Sequence, residues 1–400
     1  MITSVLDTID PRQLGKELQE ARKKRGITQE EAAKVIEVAR TTLTAIEKGE
    51  RQIKPAELIK LADVYDRQVS DFVRGRPVIQ RFQVQFRGPY HVTEKETGDI
   101  QDSVAIMEEL CRDYLELEEI LDAPPMQNYP REYRISGIFT EQAVESIAIE
   151  ERHRLSLGDR PVPILRDILE QEVGLRIFYL ALPSKFSEIY HYDQNVGGCI
   201  VINKQHPAER RRLSLAHGYA HFLVHRHKPG TFVESDYQRM PEDERLADMI
   251  AFYLLMPSSS VVRQYNALRE EKKKITVVGL CMIASYFGVS VEAITRRLED
   301  MKLVPTGIWD KIQDSGLKIR DLQEQFGINE TRDRDDVLPA RYKYLAYAAL
   351  DRGLITEAQF SKFLRIDRIQ AREFAQGLRQ QEGLADGDGN DMDSSHVVIQ

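Results

Sequence analysis

The sequence predicts a multidomain protein, mainly α with an α+β core. Three observations lead there. At 400 residues the chain is too long for one ordinary hydrophobic core. Its 42% hydrophobic and 30% charged content is that of a soluble globular protein, not of a disordered or membrane chain. Apolar residues recur at helical spacing through most segments, and strand signals enter in the middle third.

The first segment, 1–76, is expected to be a bundle of short helices. Leu14, Leu18 and Ala21 fall on one helical face, followed by Ala32, Ala33 and Ile36, then Leu43 and Ile46, then Leu58, Leu61 and Ala62. Gly26 ends the first helix, and Thr28 with Glu31 three residues on forms a capping box. Glu37 and Val38 make a tight turn before a helix from Arg40 to Glu47, which Gly49 stops. Two helices joined this way make a unit whose second helix can lie in a DNA major groove. The chain carries a net charge of −8, but residues 11–76 hold fifteen Lys and Arg against eleven Asp and Glu, so this segment is locally basic.

With ARKKRGITQEEAA, TTLTAIEKGER and ELIKLADVY, residues 12–73 closely resemble the Cro/repressor-like helix-turn-helix family, often called XRE. The resemblance implies a five-helix domain that binds double-stranded operator DNA. It puts Gln29 on a phosphate, Arg40, Thr41 and Thr42 at base edges, and Thr44 and Lys48 near the backbone. Arg suits the O6 and N7 of guanine, and Thr suits a thymine methyl. The alternative is a small helical bundle that binds protein.

Residues 77–130 are expected to be a linker with an amphipathic helix. Ile100, Val104, Met107, Cys111, Tyr114 and Leu121 form an apolar stripe that Glu118 interrupts. About three heptads favour packing within the chain over a coiled coil, although a homodimer would suit a reader of paired half-sites. Residues 131–304 mix strand and helix. A strand follows Gly174, GGCIVIN (197–203) is an apolar strand, helices run from about Ala208 to His225 and from about Pro241 to Met256, and two more helices flank Gly288. Residues 305–381 read as a helical domain, for packing or dimerisation or as a second nucleic-acid reader. The Gly-, Asp- and Ser-rich tail, 382–400, reads as disordered.

Cys111, Cys199 and Cys281 are far apart in sequence, which argues against a thiolate zinc site or a disulfide framework. The longest apolar run, MIAFYLLM, is well short of a bilayer span, and MITSVLDTIDPRQ has no secretory signal pattern. A cytoplasmic protein without a membrane partner is the expectation.

Chemistry concentrates in RRRLSLAHGYAHFLVH. On a helix, His217 and His221 share a face one turn apart and can reach one tetrahedral ion, zinc or another divalent metal such as Mn2+. His225 lies eight residues beyond His217, about 12 Å along the axis, so it reads as capping or packing the helix end. In ERLADMIAFYLLMP, Glu244 and Asp248 are again four apart. Glu244 is assigned as the third ligand, and Asp248 as the carboxylate that orients a histidine N–H.

GGCIVIN, RRRLSLAHGYAH, ERLADMIAFYLLMP and YFGVSVEAITRRL, in this order and spacing, resemble the ImmA/IrrE family of zinc metallopeptidases over residues 160–300. The resemblance implies a zincin-like fold, His217, His221 and Glu244 as ligands, and a protein substrate such as a DNA-binding repressor. It also suggests GGCIVIN as a strand to which substrate adds. The family's H-E-x-x-H motif reads H-G-x-x-H here. Gly218 stands where the general-base Glu would be, and losing a positioned base forfeits about 10²–10⁴-fold in rate. No obvious substitute is visible in the sequence. The chain then reads either as an enzyme disabled by substitution, or as a regulator that kept its metal cage for sensing, or as a peptidase with another base.

Overall fold

The structure, a computed structural model, describes residues 9–65, 67, 69–73, 82, 84–86, 94–125, 127–133, 140–228, 231–235, 242–272, 275–328 and 336–387. The chain divides into two units, Met1–Val78 and Ile79–Gln400.

The first unit is built from α1 (Pro11–Lys24), α2 (Gln29–Val35), α3 (Arg40–Glu47), α4 (Pro55–Val64) and α5 (Ser70–Val73). Each start has a local cause. The Asp10 side chain accepts the Arg12 N–H at 3.0 Å, and Thr28 and Glu31 exchange reciprocal hydrogen bonds at the head of α2. Leu14, Leu18, Ala32, Ala33, Leu43, Ile46, Leu58 and Leu61 form the buried core, as their spacing predicts. Gly15 lets α1 press against α3, since a Cβ there would lie 2.4 Å from the Ile46 carbonyl oxygen. A buried fork locks the same pair of helices. Arg22 donates through Nε to Glu47 Oε1 at 2.6 Å and through Nη2 to Oε2 at 3.1 Å, and its Nη1 donates to the Ile27 carbonyl at 2.9 Å.

The second unit wraps a five-stranded sheet. Its elements are β1 (Val84–Phe86), α6 (Glu94–Leu121), α7 (Glu141–Arg154) and α8 (Leu165–Ile168), the last running into a π-helical turn. Next come β2 (Arg176–Leu180), β3 (Phe186–Asp193), β4 (Gly197–Asn203), α9 (Ala208–Val224), β5 (Thr231–Ser235) and α10 (Glu242–Leu255). Then follow α11 (Ser258–Lys272), α12 (Val277–Phe287), α13 (Val291–Asp300), α14 (Ile308–Asp314), α15 (Ile319–Gln325), α16 (Ala340–Asp351), α17 (Glu357–Leu364) and α18 (Arg368–Gly387).

The strand order is β1-β5-β3-β4-β2, with β3 antiparallel to both β4 and β5, and the two outer pairings parallel. Both faces are covered. Ile177, Tyr179, Tyr190, Ile200 and Ile202 meet Leu215, Tyr219 and Phe222 of α9, with α7 and α10 in the same core. The alternate residues Phe178, Ile189, Cys199 and Val201 meet Met107, Cys111 and Tyr114 of α6, and Tyr342, Leu345 and Phe360 of α16 and α17. Double coverage explains why GGCIVIN is apolar without alternation. It also removes one expectation. β4 is hydrogen-bonded on both edges, so it has no free edge to which a substrate strand could add.

Three further differences from the sequence reading are physical. Glu118 does not break the stripe on α6. It is buried and bridges Arg176 of β2 and Arg341 of α16. Cys111 and Cys199, distant in sequence, sit with their thiols 3.1 Å apart between α6 and β4. The helix α18 continues through Gly387, beyond the residue where a structureless tail was expected to begin, and residues 388–400 lie outside those described. Among the described residues no single helix is long and apolar enough to cross a membrane.

Glu47→Ala would leave Arg22 buried without its carboxylate, a change that costs about 3–5 kcal/mol. Hydrogen exchange of the full-length variant should accelerate at the amides of Leu18, Leu43 and Leu61. Burial pushes the Glu47 carboxyl up, but hydrogen bonds from Arg22 and Gln29 outweigh it and hold it below the usual range. The stabilisation is therefore fully present above the ordinary glutamate range and is lost as pH falls through the lowered value.

Candidate metal centre

The helix α9 lies on the sheet and is buried all round from Leu215 to Val224. Its two histidines are therefore interior groups, each 2% exposed. Polar groups that deep require partners, or a metal. α10 supplies them. His217 Nε2 lies 3.2 Å from Glu244 Oε2, His221 Nε2 lies 3.4 Å from the same oxygen, and the two ring nitrogens are 2.9 Å apart. Four ligands held tetrahedrally at about 2.0–2.1 Å from zinc stand about 3.3 Å from one another. Before any ion is considered, the three donors already have the spacing of one face of that tetrahedron.

Outer groups set the tautomers. Asp248 Oδ1 is 2.7 Å from His217 Nδ1, so Nδ1–H donates to the carboxylate and the Nε2 lone pair points at the centre. His221 Nδ1 is 3.0 Å from His225 Nδ1, and His225 Nε2 is 3.2 Å from Asp243 Oδ1. The arrangement that frees His221 Nε2 has His221 Nδ1–H donating to His225, which in turn donates Nε2–H to Asp243. His225 thus orients the His221 ring in addition to closing the helix. The fixed spacing to His221 is the signal that sequence reading could have used. Burial raises the Glu244 carboxyl, but wherever His217 and His221 carry a proton on Nε2 as well as Nδ1, their hydrogen bonds to it outweigh this and hold it well below the usual carboxylate range.

Gly218 sits inside α9 facing the sheet. Its N–H donates to Glu188 Oε2 of β3 at 3.2 Å. A Cβ at this position would meet Glu188 Oε1 and Ile200 Cγ2 at 3.1 Å, and Glu188 Oε2 at 3.3 Å. Glu188 is 1% exposed, and one donor atom from each of Glu188, His217 and His221 lies within 4.8 Å of the others. The sequence showed no carboxylate beside Gly218. The structure has one, carried by a strand that sequence reading did not identify.

The first unit carries the remaining predicted residues. Arg40, Thr41 and Lys48 are exposed, and Thr42 is half-buried. Thr44 turns its hydroxyl back to the Arg40 carbonyl at 3.0 Å. Gln29 donates through Nε2 to Glu47 Oε2 at 2.8 Å, which ties the start of α2 to the end of α3.

Residues 18–72 match the helix-turn-helix family, and residues 170–299 match the family described as IrrE N-terminal-like domain. Among solved structures, Bacillus thuringiensis PlcR in complex with the peptide PapR7 and DNA aligns at 10% identity over 95% of this chain and 100% of that one, with a TM-score of 0.18. ComR from Streptococcus suis aligns at 11% identity over 94% of this chain and 96% of that one, with a TM-score of 0.16. At such scores the chains do not superpose, and the likeness carries no structural argument. No curated protein is significantly similar in sequence.

Asp248→Ala should lower metal affinity about 10–100-fold, the usual effect of removing a carboxylate that orients a ligating imidazole. Competition with a chromophoric chelator measures it, and an unchanged affinity would detach Asp248 from the site.

Proposed function

We propose that this chain, which joins a helix-turn-helix domain to an IrrE N-terminal-like domain, is a DNA-binding regulator whose second unit holds a divalent metal and hydrolyses peptides poorly or not at all. The observation that carries the reading is the triangle of His217, His221 and Glu244 donors at 2.9–3.4 Å with a glycine in place of a proton acceptor. When bound, zinc or Mn2+ would supply positive charge able to polarise a carbonyl and acidify water. The chain's own residues do the rest. His217, His221 and Glu244 hold the ion, Asp248 fixes the His217 ring, and His225 with Asp243 fixes the His221 ring. Gly218 can neither take nor pass a proton. A protein substrate, as the family resemblance implies, would then be bound or sensed and not cut, in a cytoplasmic regulator that acts as a monomer or homodimer on its operator.

The first unit supports the DNA reading by presenting Arg40 and Thr41 at the exposed start of α3, a helix that the Arg22–Glu47 fork holds rigidly. With an operator obtained by selection from random duplexes, Arg40→Ala should relax base preference by about 1–3 kcal/mol at one position. Lys48→Ala should weaken binding on all sequences and reduce the salt slope by about 1. Equal losses from both on every duplex would misplace the reading helix.

Purified chain should carry about one zinc or manganese by elemental analysis. The metal-loaded protein should cleave a diverse peptide library no faster than the chelated protein. Cleavage that a chelator abolishes would overturn the non-hydrolytic reading. Gly218→Glu alone should not restore it, because the new side chain would start 3.1 Å from the Glu188 carboxylate.

A further inference from the structure

We propose that Glu188 is a fourth protein ligand, closing the position that a hydrolytic zinc site keeps for water, and that Gly218 is the residue that admits it. The inference rests on the metal reading above. Catalytic zinc sites use three protein ligands and leave one position open, whereas structural sites use four. Here a second carboxylate converges on the histidine pair from the side opposite in chain terms to Glu244. One comes from α10, and the other from the central strand β3. With the Glu188 oxygen, which lies within 4.8 Å of the histidine nitrogens, drawn in to about the 3.3 Å spacing of zinc ligands, two imidazoles and two carboxylates would make an N2O2 set with two negative charges, matched to a divalent ion.

Exposure favours ligation over a role as relocated proton acceptor. An open position has to face substrate. Every donor residue here is nearly sealed, with His217, His221 and Glu244 at 2% exposure and Glu188 at 1%. A carboxylate taken so far from water is held by hydrogen bonds and by cations. The Gly218 N–H is one of its partners, at 3.2 Å, and a metal carrying two neutral imidazoles and one carboxylate would add net positive charge beside it.

The glycine follows from the same geometry. The positions of the Glu188 oxygens, 3.1 and 3.3 Å from the place of a Cβ on residue 218, overlap the space that any longer side chain there would enter. A glutamate on α9 and one on β3 would compete for that space and repel one another. The missing side chain on α9 and the carboxylate from β3 are thus two halves of one arrangement. The bound ion would join β3, α9 and α10, so that metal occupancy sets the rigidity of this part of the fold.

The test uses the full chain loaded with cobalt(II), whose visible spectrum reports coordination, and acetohydroxamate as a competing ligand. The parent protein should give an intense four-coordinate spectrum that acetohydroxamate leaves unchanged. Glu188→Ala should bind acetohydroxamate with a clear spectral shift and should lose at least the 10–100-fold in affinity typical of disturbing a metal site. Glu188→Gln keeps the shape and a carbonyl acceptor for the Gly218 N–H, so it should fold as the parent does and still bind cobalt more weakly. A parent spectrum that shifts with acetohydroxamate overturns this inference and leaves the metal centre standing, as does unchanged affinity in both variants. A parent protein that takes up no cobalt overturns both.

Discussion

The burial of two imidazoles one helical turn apart is the constraint on which the second unit depends. α9 is buried on every side from Ser214 to Val224, so His217 and His221 have no water to satisfy them. Their four ring nitrogens are all accounted for by neighbours. Asp248 and His225 take the outer pair, and Glu244 faces the inner pair. This obliges α10 to lie along α9 in one register, because Glu244 and Asp248 are themselves one turn apart and must meet different nitrogens. Apolar contacts of Leu246, Ala247, Ile250 and Ala251 fill the remaining interface. The polar set specifies the register, and the apolar set supplies the burial.

Much of this was legible because it is local. The four-residue spacings of His217 with His221 and of Glu244 with Asp248 are properties of helices, and the helices announce themselves by periodicity and caps. The same holds for Thr28 and Glu31, and for the turn at Glu37, whose φ of 58° is of the kind a tight helix-turn-helix link requires. α11 has no counterpart in the sequence reading, where the helix before it ends at about Met256 and Pro257 follows as a helix stop. Proline also suits the edge of a helix start, and here it immediately precedes one.

β3 was missed for a different reason. FSEIYHYD carries Ser187, Glu188 and His191 among its apolar residues, and a strand buried on both faces is expected to be nearly all apolar. Its polar groups are tolerated because of partners far along the chain. Glu188 meets the backbone of α9, and His191 stacks on Phe82 at 3.6 Å between ring centroids. No window of sequence contains both sides of such contacts. Glu118 shows the same effect, since it looks like a flaw in an apolar stripe until Arg176 and Arg341 come to meet it. Errors of this kind fall at buried charges, where tertiary pairing overrides the pattern.

The asymmetry between what this candidate metal site has and what it lacks follows from burial. Removing any one of His217, His221, Glu244 or Asp248 leaves the others desolvated and short of a partner, so each is held by a structural demand as well as a chemical one. A general base on α9 carries no such demand. Its side chain serves only a reaction, and no other buried group of the site depends on it for a partner. Gly costs the helix about 1 kcal/mol relative to Ala, yet an alanine Cβ would press at 3.1 Å on both Glu188 and Ile200. Propensity therefore favours alanine at this position and packing favours glycine. With a carboxylate and a rigid β-branched side chain on the two sides, packing decides.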